Sequence, residues 1–346
     1  MILKYAVGID VAQIELVVCL GRITADLKSE LYARKTFPNN KKGFEALVSW
    51  VNHNTQEEVR VQYVMEATGV YHEALAYYLY DHQCSLSIVL PNKISNYFRT
   101  LNVKTITDKS ASEAIAQFGL ERQLDEWLRP SPVYKKLRQL TRERDQHVQQ
   151  RSAAKNQLHA ESTEAEPNQS SIKRLHKLIN FLNKLIEEIQ AELKETIKKD
   201  VSLSKMVKRL CTLPGIGVLT ACSILGETNG FDLIRNKKQL TSYAGLDVRE
   251  KQSGTSVKGK PKISKKGNRH LRKAMHMPAL SAITHDQRFK DVYARLVAKH
   301  GVKMKAIVPI QRKLLEMSYI LFKNDMDYDK YYLANKTQQV EEGIKN

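Results

Sequence analysis

Between Ser131 and Asp200 the chain contains no glycine, and its only prolines are Pro132 and Pro167. Apolar residues recur there at spacings of three and four: Val133, Leu137 and Leu140, then Leu175, Leu178, Ile179, Leu182, Leu185, Ile186 and Ile189. That period gathers them on one stripe of a helix. The stretch therefore predicts two long amphipathic helices, broken at the polar segment TEAEPNQS, residues 163–170. Such helices pair as a hairpin within one chain or between subunits, and an oligomerising arm is the expectation here.

The residues before this stretch have a different period. KYAVGIDV and IELVVCL read as two strands split by a tight turn near Ala12 and Gln13, and Leu31 to Phe37 as a third. Lys41 to Asn52 has helical spacing, with Phe44, Leu47, Val48 and Val51 on one face. Val61 to Glu66 reads as a strand, Val70 to His82 as a helix and Leu86 to Leu90 as a strand. A β-meander followed by strand–helix–strand alternation implies a mixed sheet flanked by helices, an α/β unit. After Ser202 the chain reads as mostly helical, with loops at Pro214, Gly226–Gly230 and Gly245–Gly267 and a polar tail beyond Tyr332. No internal repeat is visible.

Charge indicates the partner. The net charge is +19, and it is concentrated: between Lys205 and Met275 there are 16 Lys and Arg against 4 Asp and Glu. A concentrated positive field binds polyanions and releases their counterions, so nucleic acid is the expected partner. An anionic membrane would call for an amphipathic helix with bulky apolar residues opposite the cations, and no apolar run approaches the ~18 residues of a span. Cys19, Cys84, Cys211 and Cys222 form no Cys-x-x-Cys pair. They read as buried thiols in a reducing compartment, not as a zinc site or a disulfide framework. The expected location is cytoplasmic, at the nucleoid when acting.

Two acids stand at strand ends: Asp10 after Gly8-Ile9, and Glu66 closing VQYVME before a glycine turn. Acids at adjacent strand ends can bring oxygen ligands to one point, and Mg²⁺ takes few protein carboxylates while keeping water and phosphate in its other positions. Asp108 opens a helix in KTITDKSASEAIAQF, where an acid is often only a cap. A metal site would favour a second acid one turn on, but those positions are Ala111 and Ser112, and Glu113 points elsewhere.

In the basic half, Leu213-Pro-Gly-Ile-Gly217 before an apolar helix looks like a helix-hairpin-helix. Gly215 and Gly217 could present backbone N–H groups to phosphate, although the pattern also fits a plain packing turn. Ser253-Gly254-Thr255-Ser256 offers three hydroxyls among Lys258, Lys260, Lys262, Lys265, Lys266, Arg269, Arg272 and Lys273. A serine hydroxyl becomes a nucleophile only with a base or metal, and its oxyanionic transition state needs cations. The alternative is a loop whose hydroxyls only donate to phosphate.

GIDVAQ, VMEATGVY, KTITDKSASEAIAQF, LPGIG, YAGL and SGTSVKGKPKISKKGNRHLRKAMHMPA occur in this order. Together they make the chain resemble, over about residues 4–325, the DEDD-type insertion-sequence transposases. These are bridge-RNA-guided recombinases, a family that includes a pilin-gene inverting recombinase. The resemblance implies a RuvC-like (RNase H-like) domain over 1–130, coiled-coil oligomerisation helices over 131–200, a mostly helical transposase domain over 201–330 and a polar tail over 331–346. It implies Asp10, Glu66 and Asp108 as Mg²⁺-binding acids, with the fourth acid replaced by Ala111, and Ser253 as the nucleophile. It further implies a 5′-phosphoserine intermediate, target and donor DNA and a noncoding bridge RNA as partners, and a homo-oligomer, dimers assembling to a tetramer. A chain short of one acid is expected to be catalytically impaired. Alternatives are an invertase without guide RNA, a metal-only RuvC-like nuclease and a non-catalytic nucleic-acid-binding protein.

Overall fold

The computed structural model describes residues 1–67, 69–101, 105, 107–250, 252–253, 257–259 and 261–329, with 252–253 and 257–258 described for the backbone alone. The chain divides into two compact units, Met1–Arg129 and Pro130–Asn346.

The first unit is built on a five-stranded sheet. Strands β1 (Ile2–Val11), β2 (Glu15–Thr24) and β3 (Ser29–Pro38) form an antiparallel meander. Helix α1 (Lys41–Asn54) follows, capped by the Asn40 side chain, which accepts from Gly43 N. Strand β4 (Val61–Glu66), helix α2 (Glu73–Asp81), strand β5 (Ser85–Val89) and helices α3 (Pro91–Phe98) and α4 (Asp108–Glu121) complete the unit. The sheet order is β3-β2-β1-β4-β5, with β4 parallel to both β1 and β5. This is the mixed sheet with flanking helices read from the sequence.

Helices cover both faces of the sheet, which is why β1 is apolar along most of its length instead of alternating. Tyr5, Val7, Ile9 and Val11 join one core with Leu16, Val18, Leu20, Phe44, Leu47, Val51, Leu75 and Leu79. On the opposite face Val64 packs with Val89, Ile94 and Ile115. Side chains alternate along a strand, so Ala6, Gly8 and Asp10 share the second face, as do Val64 and Glu66.

Helix α4 lies on that second face closer than a side chain would permit. A Cβ at Gly8 would sit 2.2 Å from Ala116 N and 2.2 Å from Ser112 O, both backbone atoms. A Cβ on Gly119 of α4 would come within 2.8 Å of Val64 Cγ2. Ser112, Ala116 and Gly119, at helical spacing, form the face that makes this approach possible. Helix α2 begins at Glu73 and not at Val70 as its spacing predicted. Gly69 turns there with φ +54°, and Val70 and Tyr71 are exposed, so they were never part of the buried stripe.

The second unit opens with the two long helices, α5 (Pro132–Thr163) and α6 (Gln169–Lys199), broken where the sequence indicated. They form an antiparallel hairpin: Lys136 pairs with Glu192, and Arg151 donates to Asn183. Ile179, Leu182, Ile186, Ile189 and Leu193 are the buried side of α6, whereas Leu178 and Phe181 are exposed. Helices α7 (Val201–Leu210), α8 (Val218–Thr228) and α9 (Lys237–Tyr243) follow. Next come the two-residue strands β6 (Val248–Arg249), β7 (Gln252–Ser253), β8 (Val257–Lys258) and β9 (Lys262–Ile263). Helices α10 (Arg269–Ala274), α11 (His276–His285), α12 (Gln287–His300) and α13 (Lys303–Lys323) close the unit. One core links Leu137 and Leu140 of α5 to Ile189 and Leu193 of α6, Leu225 of α8 and Leu314 of α13.

The loop expected at Gly226–Gly230 is a helix as far as Thr228, ending at Asn229 in the left-handed region. Gly226 is there for close packing: a Cβ would lie 2.7 Å from Arg138 N of α5. Cys19 and Cys222 are buried as expected, but Cys84 and Cys211 are half-exposed. Among the described residues no helix is long and apolar enough to cross a membrane. The tail beyond Tyr332 lies outside the described residues.

Gly8→Ala is expected to destabilise the first unit by about 3 kcal/mol, the upper end of the usual overpacking cost, because only backbone stands in the way. Both tryptophans, Trp50 and Trp127, lie in this unit, so urea unfolding followed by their fluorescence reads it directly. A loss below about 0.5 kcal/mol, the size of an ordinary surface substitution, would show that α4 is free to shift.

Candidate active-site elements

Ile9 and Met65 are register partners in β1 and β4, and Asp10 and Glu66 each lie one residue further on. Strand alternation puts both carboxylates on the face that α4 covers. Asp108 is the first residue of α4. It is not the cap: the Thr107 side chain accepts from Ser110 N, and Ser110 Oγ accepts from Thr107 N. That leaves the Asp108 carboxylate exposed in the first turn, where the helix dipole favours a negative charge.

The three acids share a field. Burial pushes the Asp10 carboxyl up to about 6, and repulsion from Asp108 and then Glu66 pushes it the same way, against a hydrogen bond from the Val11 backbone. Among the described residues no three His, Cys, Asp or Glu side chains gather closely enough to hold a metal ion as they stand. The donor set nevertheless fits a hard dication, since carboxylate oxygens that repel one another are relieved by a positive charge between them. Asp10, Glu66 and Asp108 are the residues that would hold it.

Position 111 is half-buried and one turn from Asp108, whereas Ser112 is buried with its carbonyl against Gly8. Of these two positions, only 111 is open to solvent. Glu113 is no substitute, because it pairs with Arg34 of β3. A residue the sequence reading missed is Asn39, whose Nδ2 donates to Ala12 O at 2.8 Å and to Tyr71 O at 3.2 Å. It ties the turn after Asp10 to the loop after Glu66. Its only sequence signal is its place beside the helix cap Asn40.

In the second unit, the turn between α7 and α8 treats its two glycines differently. Gly215 has φ +81°, and a Cβ there would lie 2.3 Å from Pro278 O, so it is a packing glycine against α11. Gly217 has open space around it and begins α8 with no side-chain cap, leaving the N–H groups that follow it without a capping side chain. Ser253 lies in β7, paired with Val257 of β8. Lys251, Gly254, Thr255, Ser256 and Lys260 lie outside the described residues, as do the side chains of Ser253 and Lys258.

The base of this hairpin is defined by the β6–β9 pairing and by Ser264 N donating to Asp247 O at 2.9 Å. Lys262, Lys265, Lys266 and Arg269 are exposed. Arg272 instead donates to Ala244 O, and Lys273 pairs with Asp145, so two of the expected phosphate cations already have protein partners. Arg142, Glu227 and Asn268, none of them singled out in the sequence, meet at the hairpin base.

The raised Asp10 carboxyl sets a pH dependence. Between its ordinary value of 3.8 and about 6, the folded chain holds a proton that the unfolded chain has lost, so stability falls as pH rises through this window. Discounted for solvent screening at a partly exposed group, the loss is about 1 kcal/mol. Asp10→Asn is therefore expected to be more stable than the native chain by about that amount at pH 7.5, and equal to it at pH 4. Tryptophan-monitored urea unfolding at the two pH values checks this. An equal difference at both would mean that the Asp10 carboxyl is not raised in the folded chain.

Residues 7–167 match the family model of the DEDD-type IS110 transposases, described as a transposase, and residues 207–294 match the Transposase IS116/IS110/IS902 family. The pilin gene-inverting protein of Moraxella bovis is 29% identical over 329 residues, covering 94% of this chain and 98% of that protein. The pilin gene-inverting protein of Moraxella lacunata matches at the same identity and coverage. An uncharacterized 43.6 kDa protein of insertion element IS110 from Streptomyces coelicolor is 28% identical over 120 residues, 35% of this chain and 29% of that protein. Among solved structures, Thermus thermophilus RuvC is similar at 12% identity and a TM-score of 0.28, covering 36% of this chain and 99% of its own. Two family models, matched in order along both units, and full-length similarity to the inverting proteins place this chain in the DEDD-type IS110 transposase family.

Proposed function

We propose that this chain is a DNA recombinase that cuts and rejoins strands through Ser253, with Mg²⁺ held by Asp10, Glu66 and Asp108. The observation that carries the metal half is the placement of Asp10 and Glu66 one residue beyond register partners of β1 and β4, on the face covered by α4, with Asp108 at the start of that helix. The serine half rests on the place of Ser253 in a hairpin flanked by exposed Lys262, Lys265, Lys266 and Arg269. Cations there favour a pentavalent, oxyanionic phosphate over the ground state. Ser253 Oγ would bond to phosphorus as the bond from phosphorus to the 3′ oxygen breaks, leaving a 5′-phosphoserine and a free 3′-hydroxyl that takes up the serine proton. A bound Mg²⁺ would polarise the phosphate and offset its charge. Ala111 leaves one carboxylate fewer than the family's four, so this chain is a slower enzyme than its Ala111→Asp variant.

Sequence choice is assigned to a noncoding bridge RNA pairing with target and donor DNA. A surface that mainly holds backbone agrees with the exposed lysines around the hairpin. The exposed Leu178 and Phe181 on α6 support pairing of this helix with a second copy, dimers assembling to a tetramer. Full-length similarity to the pilin gene-inverting proteins favours a second reading, inversion of a fixed DNA segment, for which a guide RNA need not be invoked.

Sequencing the RNA that co-purifies with the chain expressed beside its native flanking DNA separates the two readings. A single structured RNA from the flank is expected; random cellular RNA would favour the invertase. With that RNA and matching DNA, Ser253→Ala should abolish the covalent protein–DNA adduct and strand cleavage together. Ala111→Asp should raise Mg²⁺-dependent cleavage about tenfold or more, the span of one lost charge-stabilising interaction. Cleavage that survives Ser253→Ala would point to a metal-only nuclease.

A further inference from the structure

Glu227, near the C-terminal end of α8, is a carboxylate with a 2%-exposed side chain. Arg142 of α5 grips it with both ends of its fork, Nε to Oε1 at 2.6 Å and Nη2 to Oε2 at 2.7 Å. Asn268 Nδ2 donates to Oε2 at 2.6 Å. Burial alone would raise the Glu227 carboxyl, but the bonds from Arg142 and Asn268 outweigh it and hold the group ionised, below its ordinary range.

Asn268 is where this network meets the hairpin. Its Oδ1 accepts from His270 N and Leu271 N, capping α10, while its backbone N donates to Tyr243 O at 2.6 Å. Tyr243 Oη in turn donates to Glu227 O at 2.9 Å. The residues on either side of the Ser253 hairpin, Tyr243 before it and Asn268 after it, are thus both bonded to Glu227 and to each other. Two further contacts fix the same base: Arg272 donates to Ala244 O and Arg312 to Leu246 O, each at 2.9 Å. A buried carboxylate whose oxygens accept a bidentate fork and an amide has little orientational freedom, so it works as an anchor point.

We infer that Glu227 is a positioning residue for the serine hairpin, acting through Asn268 and itself held by Arg142. The inference rests on the reading of Ser253 as the nucleophile. Glu227 touches no substrate; it fixes where the hairpin leaves the helical core, and a displacement of about an ångström at a nucleophile is enough to lower a rate by orders of magnitude.

Asn268→Asp tests this with the fold preserved. Aspartate caps a helix as well as asparagine does, so α10 keeps its start, but the donor to Glu227 is replaced by a second carboxylate. The expected result is amide exchange at least tenfold faster in peptides spanning residues 245–267, with exchange in α13 unchanged. Formation of the DNA adduct, measured in the native chain and in the Ala111→Asp background, should slow at least tenfold while the DNA Kd stays within twofold. Adding Glu227→Gln to Asn268→Asp restores a donor–acceptor pair with reversed polarity, and should bring exchange and adduct rate back toward native. Unchanged exchange in 245–267 after Asn268→Asp would overturn the inference, and so would faster exchange with an unchanged adduct rate. If no adduct forms in any background, the nucleophile reading fails, and with it the positioning role. The exchange arm would then still decide separately whether Glu227 holds the hairpin.

Discussion

The first unit depends on a contact made by two backbones. Helix α4 rests on β1 where Gly8 has no side chain, with Ser112 O and Ala116 N in the space a Cβ would need. Dispersion and the burial of Ile115 against Val64 and Ile94 hold it there. The approach brings the first turn of α4 to the carboxylate ends of β1 and β4, close enough for Asp108 to raise the proton affinity of Asp10. The fold thus spends packing energy to put like charges near one another, an arrangement that folding alone would disfavour.

Much of this was legible in the sequence because it depends on period. Apolar runs of strand length, the three-and-four spacing of α1 and α6, and the polar break between the long helices are local patterns, and the structure follows them. Asp10 and Glu66 could be named because a strand end is a local feature. What was not legible depends on which element lies opposite. Gly226 reads as a turn residue by composition, yet it lies inside α8, where the backbone of α5 leaves no room for a side chain. Gly215 and Gly217 look alike in the sequence, but only one is pressed against α11. Asn39 and Glu227 act through partners 32 and 41 residues away, Tyr71 and Asn268, and no window of the chain shows that pairing.

Charge follows the same division. The excess of Lys and Arg between Lys205 and Met275 is visible by counting, but its use is not. Arg272 and Lys273 are engaged with Ala244 O and Asp145, and Arg209 is buried against Asp325. Among the described residues, the exposed cations at the hairpin include Arg249, Lys262, Lys265, Lys266 and Arg269, adjacent in sequence to the strands that carry Ser253. Among the described residues that set has no carboxylate partner, so a polyanion would meet it without displacing one.

The Arg142 fork has a geometric consequence for the long helix that carries it. A helix turns 100° per residue, so Arg142 meets Glu227 only when α5 has one rotational phase about its axis. At 1.5 Å per residue, the 32 residues of α5 make a rod of about 48 Å, with Arg142 in its first half. Along this rod the pairs Lys136–Glu192, Arg142–Glu227 and Arg151–Asn183 hold one phase at three points, and the second of them lies at the base of the hairpin. A rotation of α5 about its axis would therefore be felt through Glu227 at Asn268, where the hairpin rejoins the helices.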